Sequence, residues 1–291
     1  MTWLITGSKG QLGLALQAEL TNQGIDYAAT DSSQLDITKP LQVNQLVESL
    51  KPEVIINAAA WTDVDGAETN KDVAYQVNAV GPQNLAIAAK QVGARLVQVS
   101  TDYVFSGENN APWGEDAAHN PQSVYGSTKS EGENLVLREL PNAVYIVRTA
   151  WLYSADKKNF AKTMTKLALN GDAEVRVVND QVGQPTLAEG LAKQIVKLVL
   201  SEAPAGIYNG TNGGQATWFE FAQEIFRLAG VDVSRVVPVS TSEFPRPAKR
   251  PSYSVLSHDR WRETDVAEMR DWKAALAEAM PTIILAVKKE G

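Results

Sequence analysis

Apolar residues follow two alternating rhythms along the first half of this chain. Short unbroken apolar runs, such as Trp3-Leu-Ile and Val54-Ile-Ile, mark buried strands, and recurrence every three or four residues, as at Leu16 and Leu20, marks helices. The pattern predicts strands at Trp3–Ile5, Ile25–Thr30, Glu53–Asn57, Arg95–Ser100 and Ala143–Arg148. Between them it predicts a helix carrying Leu14, Leu16 and Leu20, a helix from about Leu41 to Leu50, one spanning Asn78 and the Leu85–Ala89 run, and one opening at Tyr125. Strand and helix in strict alternation imply a parallel sheet with right-handed crossovers, the doubly wound α/β class.

Beyond Trp151 the rhythm changes. A helix is expected over Phe160–Leu169, a strand over Glu174–Asn179, and Gln184-Pro-Thr186 leads into a helix ending near Leu200. Gly206–Asn209 reads as a further strand, and Phe219, Ala222, Ile225 and Phe226 form one apolar helical face. A final helix is expected from about Trp272 to Met280, stopped by Pro281. The division that follows is a main domain of residues 1–151 with about 182–209, and a smaller C-terminal α/β lobe of residues 152–181 and 210–291.

Composition narrows the chemistry. The 291 residues are 44% hydrophobic and 21% charged, enough for a sizeable core. A net charge of -7 and a pI near 5.0 provide no general field for nucleic acid or an anionic membrane, so any phosphate must be held locally. With no Cys and only His119 and His258, thiolate and multi-histidine metal sites are excluded, no metal is expected, and a reducing compartment suits the chain. The N-terminal residues run straight into a strand with no basic or long apolar leader, which reads as cytoplasmic.

Against that background, Gly7, Gly10 and Gly13 sit between the first strand and the first helix, in Thr6-Gly-Ser-Lys-Gly-Gln-Leu-Gly13. Glycines there permit a tight turn and close approach of a pyrophosphate to the helix N-terminus, the Rossmann-like dinucleotide arrangement. Asp31 ends the second strand, placed to accept hydrogen bonds from ribose hydroxyls. Its charge favours NADH, while Lys9 in the glycine turn could meet the 2'-phosphate of NADPH, so both cofactors stay open. Asp36 could equally cap a turn before Pro40. Ala58-Ala-Ala60 either lets a flat ligand lie on backbone or simply packs a helix.

The fourth strand delivers Thr101 and Asp102 to the same sheet edge, and the next helix opens with Tyr125-Gly-Ser-Thr-Lys129. Spacing of four places phenol and ammonium on one helix face. A free phenol titrates near about 10, so it serves as an acid at neutral pH only where a neighbour such as Lys129 tunes it. With Thr101 positioning a carbonyl oxygen, these are the parts that a ketone reduction needs beside its cofactor. Further on, Arg246, Lys249 and Arg250 cluster in the proline-rich loop Thr241–Pro251, which is either a diphosphate clasp or a solvated surface loop. Trp151 is either a core aromatic or a ligand wall.

Together, Gly7-x-x-Gly10-x-x-Gly13, Thr101 and Tyr125-x-x-x-Lys129 resemble the extended short-chain dehydrogenase/reductase family. Within it, Asn57–Asp65, Ser100–Phe105, Val124–Lys129, Arg148–Trp151, Asn159–Met164 and Asn179–Thr186 look closely like the dTDP-4-dehydrorhamnose reductase family, over nearly the whole chain. The resemblance implies hydride transfer from NADPH or NADH to the C4 ketone of a nucleotide-sugar, dTDP-4-dehydro-L-rhamnose. It makes Tyr125 the proton donor, Lys129 the group that lowers its pKa and holds the nicotinamide ribose, and Thr101 a hydrogen-bond donor to the ketone. It lays Gly10, Gln11 and Leu12 along the pyrophosphate, Asp31 at the ribose, Asp36 and Ile37 near the adenine, and Ala60, Trp61 and Thr62 along the far half of the cofactor. Asp102 and Trp151 would line the sugar site. Family members that dimerise through a shared magnesium ion use two glutamates; Glu189 matches the second, but Ala15 stands at the first, so a monomer or weak homodimer is expected.

Rival readings lack their parts. A 4,6-dehydratase carries Glu after the Thr-Asp pair, where this chain has Tyr103, and an epimerising reductase uses a Cys. A non-catalytic nucleotide-binding regulatory subunit needs none of Thr101, Tyr125 and Lys129, which are all present.

Overall fold

Trp3, Leu4 and Ile5 have no exposed surface, as a strand covered by helices on both faces requires. They lie in β1 (Thr2–Thr6) of a computed structural model that describes residues 2–201 and 203–290. The chain continues through α1 (Gln11–Asn22), β2 (Asp26–Thr30), α2 (Pro40–Leu50) and β3 (Val54–Asn57). Short helices α3 (Val64–Ala67) and α4 (Lys71–Tyr75) lead through a π-helical turn, Gln76–Val80, into α5 (Gly81–Val92). Then come β4 (Arg95–Thr101), α6 (Val124–Glu139), β5 (Val144–Thr149), β6 (Leu152–Tyr153), α7 (Phe160–Leu169), β7 (Val175–Val178), β8 (Val182–Gly183) and β9 (Thr186–Leu187). The last elements are α8 (Ala188–Leu200), β10 (Gly206–Asn209), β11 (Ala216–Thr217), α9 (Trp218–Leu228), β12 (Val236–Val239) and α10 (Trp272–Glu290).

Six strands form one sheet in the order β10-β5-β4-β3-β1-β2, every neighbouring pair parallel. The chain leaves β1 toward β2 and returns to its other side as β3, so the crossovers diverge at the carboxyl ends of β1 and β3, where open sheets bind ligands. Alternate side chains feed opposite faces. Trp3, Ile5, Val54 and Ile56 pack on one side with Leu16 of α1 and Leu191 and Ile195 of α8; Leu4, Ile55 and Leu96 pack on the other with Val43, Leu85 and Val136. Each fully buried aliphatic side chain contributes about 1.5–3 kcal/mol relative to exposure. Trp261 and Val266 join the first of these clusters, and the Trp261 indole donates to the Asn209 carbonyl at 2.7 Å.

A separate cluster gathers Met164 from α7, Val175 from β7, Phe221, Ile225 and Phe226 from α9, Val236 from β12 and the buried face of α10. One expectation fails here. The last helix does not stop before Pro281 but runs to Glu290 with the proline inside it. Pro281 is exposed, while Leu276, Met280, Ile283 and Val287 are buried at helical spacing on both sides of it. Packing of that face carries the helix past a residue that forfeits one backbone hydrogen bond. Among the described residues, no helix is long and apolar enough to cross a membrane.

Candidate active site

The glycine turn is built for an anion. Gly7 has a φ of +70°, and a Cβ there would lie 2.6 Å from the Ala58 carbonyl carbon; at Gly13 it would lie 2.3 Å from the Gly7 oxygen. Only hydrogen fits at either place. Gly10 caps α1 with no side-chain hydrogen bond, so the first amides of the helix stay open to a ligand. Lys9 forms an ion pair with Asp31, and that contact, reinforced by the Ser33 hydroxyl and amide, holds the Asp31 carboxyl far below the usual carboxylate range. The two candidate readers of the cofactor ribose are thus joined to each other.

A cavity of about 760 Å³ extends from this turn along the sheet edge. Its walls bring together Gly7, Lys9, Gly10, Gln11, Leu12, Gly13 and Asp31 with Asp36, Ile37, Ala60 and Thr62 at one end, and Thr101, Asp102, Tyr125, Lys129 and Trp151 at the other. Asp36 also caps its own turn, accepting from the Thr38 amide and hydroxyl at 3.0 and 2.7 Å. Trp61 is the exception among the residues expected along the cofactor. Its indole donates to the Asp63 carbonyl at 2.9 Å and its amide to Asn78 Oδ1 at 2.9 Å, and the cavity is lined on either side of it by Ala60 and Thr62.

Thr101 ends β4 and Asp102 opens the short 3-10 turn after it, and α6 begins where Ser123 caps it, accepting from the Gly126 amide at 3.1 Å. Gly126 is pressed on the Tyr103 carbonyl, where a Cβ would approach to 2.2 Å, and the Tyr103 and Tyr125 rings meet edge to face at 5.5 Å. The Thr101 hydroxyl donates to Asp102 Oδ1 at 2.9 Å. Burial pushes the Tyr125 phenol up to about 12; the Thr101 hydroxyl opposes that rise and the Asp102 charge adds to it. Lys129 lies one turn beyond Tyr125 on the same helix. Its ammonium donates to the Val99 carbonyl at 2.6 Å and is itself brought down to about 8 by burial, with Glu133 pulling the other way. Burial, Thr101 and Asp102 thus act on the phenol, while one of the three ammonium donors of Lys129 is anchored on strand β4.

Asp102 is 2% exposed, and burial raises its carboxyl to about 6 against hydrogen bonds that favour the charged form. The Ser254 and Thr101 hydroxyls are the side chains whose hydrogen bonds favour the charged form, and they only partly offset the burial.

Trp151 adopts a left-handed φ of +46° and stacks on Trp218 with ring centroids 3.6 Å apart. Trp151 lines the large cavity; Trp218 lines a second one of about 240 Å³ together with Phe160, Met164, Arg246 and Arg250. Arg250 thus faces the smaller cavity, held by Asp65 Oδ2 at 2.9 Å, and Lys249 is spent on Glu108 at 2.8 Å. Sequence reading missed Trp218, an aromatic on a strongly amphipathic helix with nothing to mark its partner. It also missed Tyr103, Lys157 and Lys158 in the large cavity's lining, and the reach of Gln11 to Asn159 at 2.9 Å and to Ser154 at 3.1 Å. Ala15 is buried in the core cluster that α1 shares with α8, and Glu189 is half-buried with its carboxyl raised by burial. Among the described residues, no three His, Cys, Asp or Glu side chains are grouped to hold a metal ion.

Comparison with known proteins places this geometry. The dTDP-4-dehydrorhamnose reductase of Streptomyces griseus is 45% identical over 285 residues, covering 97% of this chain and 93% of the relative. A crystal structure of a dTDP-4-dehydrorhamnose reductase from Clostridium acetobutylicum superposes with a TM-score of 0.93 at 49% identity, over 97% of this chain and 99% of that one. The Bacillus anthracis enzyme of the same name, solved in complex with NADP, superposes with a TM-score of 0.92 at 41% identity, over 96% and 98% of the two chains. The family model for the RmlD substrate binding domain matches residues 1–284, and the chain belongs to that family.

Proposed function

We propose that this chain reduces the C4 ketone of dTDP-4-dehydro-L-rhamnose to dTDP-L-rhamnose, using NADPH or NADH. The observation that carries this reading is the convergence of Thr101, Tyr125 and Lys129 on the cavity that begins at the glycine turn. The residues suit the cofactor: Gly7 and Gly13 leave a cradle that a Cβ would fill, the N-terminus of α1 is open, and Asp31 and Lys9 stand at the ribose end. When bound, the reduced nicotinamide supplies the hydride for the ketone carbon.

What the chain supplies is the proton and the geometry. Tyr125 hydrogen-bonds the ketone oxygen, which gains negative charge as the carbon is reduced, and Thr101 joins it by turning its single hydroxyl hydrogen there from Asp102 Oδ1. Tyr125 then gives its proton to that oxygen; a phenol raised to about 12 is still far more acidic than an alcohol, so the transfer runs downhill. Lys129, beneath Tyr125 on the same helix face, holds the nicotinamide ribose and supplies positive charge. Asp102 and Trp151 face the sugar, and Arg250 at the smaller cavity faces the nucleotide end. The division into a dinucleotide-binding domain and a substrate lobe follows from the same reading, with the stacked tryptophans between the two cavities.

The protein is taken as a cytoplasmic monomer or weak homodimer. The cysteine-free sequence fits a reducing compartment, and Ala15, buried in the core, replaces one of the glutamates that a metal-bridged dimer requires. The testing experiment mixes pure protein, NADH or NADPH, and freshly made dTDP-4-dehydro-L-rhamnose, and follows nicotinamide absorbance. Turnover supports the reading and ranks the cofactors. Demonstrable nucleotide binding without turnover overturns it in favour of a regulatory subunit or a different keto-sugar.

A further inference from the structure

Below Lys129, α6 carries a second charged group, Glu133, one helical turn on and on the same face. Both are nearly sealed from solvent, at 3% and 1% exposed. Glu133 does not float there. Arg148 of β5, fully buried, donates to Glu133 Oε1 through Nε at 3.1 Å and to Oε2 through a terminal nitrogen at 2.7 Å. The same guanidinium donates to the Glu115 carbonyl at 2.8 Å and lies 5.0 Å from the Phe105 ring. His119 closes the cluster, with Nε2 at 2.7 Å from Arg148 and Nδ1 at 2.7 Å from the Ser130 hydroxyl.

Such a cluster is more than a fold needs at that position, because a buried ion pair adds little net stability over apolar packing of the same volume. Its placement beneath the Tyr125–Lys129 pair gives it a use. Resting on the catalytic reading above, we propose that Glu133 is a positioning residue for turnover: its carboxylate, locked by Arg148, which His119 braces by accepting from it, keeps the buried Lys129 in its ammonium form and so keeps that charge at the reaction site.

Two opposed effects meet on the lysine. Burial favours the neutral amine, since no water solvates the charge, and it brings Lys129 down to about 8; the Glu133 carboxylate is the group that resists. Glu133 can do so throughout the neutral range, because its hydrogen bonds and the Arg148 charge overcome its own burial and hold it at about 2. The other ionisable groups packed around α6 act differently. Tyr125, one turn before, is neutral with its pKa raised; Asp102 and Tyr103 follow β4 and bear on the phenol; Lys71, Asp72 and Tyr75 of α4 and Lys90 of α5 are exposed. Among the described residues, Glu133 is the one that opposes burial at Lys129.

The test is a titration of Lys129 itself in the full-length protein labelled with [13C]lysine, its Cε resonance assigned by its loss in Lys129→Met. Wild type should titrate near 8. In Glu133→Gln the midpoint should fall by about one pH unit, the usual effect of removing a close counter-charge. That variant leaves Arg148 buried and unpaired, so Glu133→Gln/Arg148→Met is also compared with Arg148→Met, a pair in which both members lack the cation and only the carboxylate differs. A midpoint lowered by Glu133→Gln in either background supports the assignment; a midpoint unchanged in both overturns it. The basic limb of kcat/KM with keto-sugar should move with the resonance, and Glu133→Asp should restore both. A limb that stays in place while the resonance moves upholds the electrostatic role and counts instead against Lys129 as the group titrating in turnover.

Discussion

Trp151 and Trp218 stack face to face, their ring centroids 3.6 Å apart and their planes 10° from parallel. One ring walls the large cavity and the other the small one, so the pair stands where a nucleotide-sugar spanning both would bend. Trp151 is held in a left-handed backbone conformation that costs a non-glycine residue about 1–2 kcal/mol, and Gly183 leaves the space for its ring: a Cβ there would lie 2.5 Å from Cε2.

Removing the supporting ring should loosen the sugar's wall without touching the chemistry. Trp218→Ala forfeits a stack worth about 1 kcal/mol and lets Trp151 relax, so KM for the nucleotide-sugar should rise roughly five- to tenfold. The KM for NADPH should stay within about twofold, because Trp218 does not line the large cavity. Steady-state kinetics in both substrates checks this; an equal rise in both constants would mean that the pair supports the whole fold rather than the sugar site.

Tyr125→Phe removes the acid and little else. The phenylalanine keeps the edge-to-face contact with Tyr103 and the burial of the ring. Loss of a general acid lowers turnover by roughly a hundred- to ten-thousand-fold, so kcat should fall by that much, with NADP+ affinity within about twofold of wild type. Single-turnover kinetics and a binding titration measure the two halves. Retention of most of the activity would remove Tyr125 from the role of proton donor.

Much of this site can be read from local signals. Apolar runs mark the strands of the sheet, three glycines in seven residues mark the turn, and a spacing of four puts Tyr125 and Lys129 on one face; each rests on neighbours close in sequence. What escapes is set by partners far apart in the chain. Nothing near Trp218 announces Trp151, nothing near Arg250 announces Asp65, and Glu133 looks like an ordinary helix carboxylate until β5 brings Arg148 against it. Pro281 misleads for a related reason: its local veto on helix is overridden by Ile283 and Val287, whose burial depends on tertiary packing. The lysine's hydrogen bond to Val99 is equally invisible, since a motif records which residues share a face and not where a flexible ammonium comes to rest.

Cofactor choice should turn on the contact between Lys9 and Asp31. With Asp31 present, its charge opposes a 2'-phosphate and occupies the one cation placed to meet it in the glycine turn. Asp31→Ala removes the repulsion and releases Lys9 together. The ratio of kcat/KM for NADPH over NADH should rise roughly tenfold at low salt and by less at high salt, where such exposed charges are screened. An unchanged ratio would show that Asp31 does not read the ribose.

Asp102 should limit stability while serving the site. Its carboxyl is raised from 3.8 to about 6 by burial, so the folded protein holds that proton more tightly than the unfolded chain. The stability it contributes is present below about pH 3.8 and is lost as pH rises through about 6. At pH 7 the cost amounts to about 2–3 kcal/mol, the differential interaction carried by a shift of this size. Asp102→Asn keeps an oxygen to accept from Thr101 and carries no charge, so urea denaturation should find it more stable than wild type by that amount at pH 7, with the difference closing between about pH 6 and pH 4. Activity should move in the opposite direction. Asp102 faces the sugar in the proposed complex, and an amide replaces charge-assisted hydrogen bonds to sugar hydroxyls by weaker neutral ones, so kcat/KM should drop roughly tenfold. A stability difference that does not vary with pH would mean that the Asp102 carboxyl is not raised by burial.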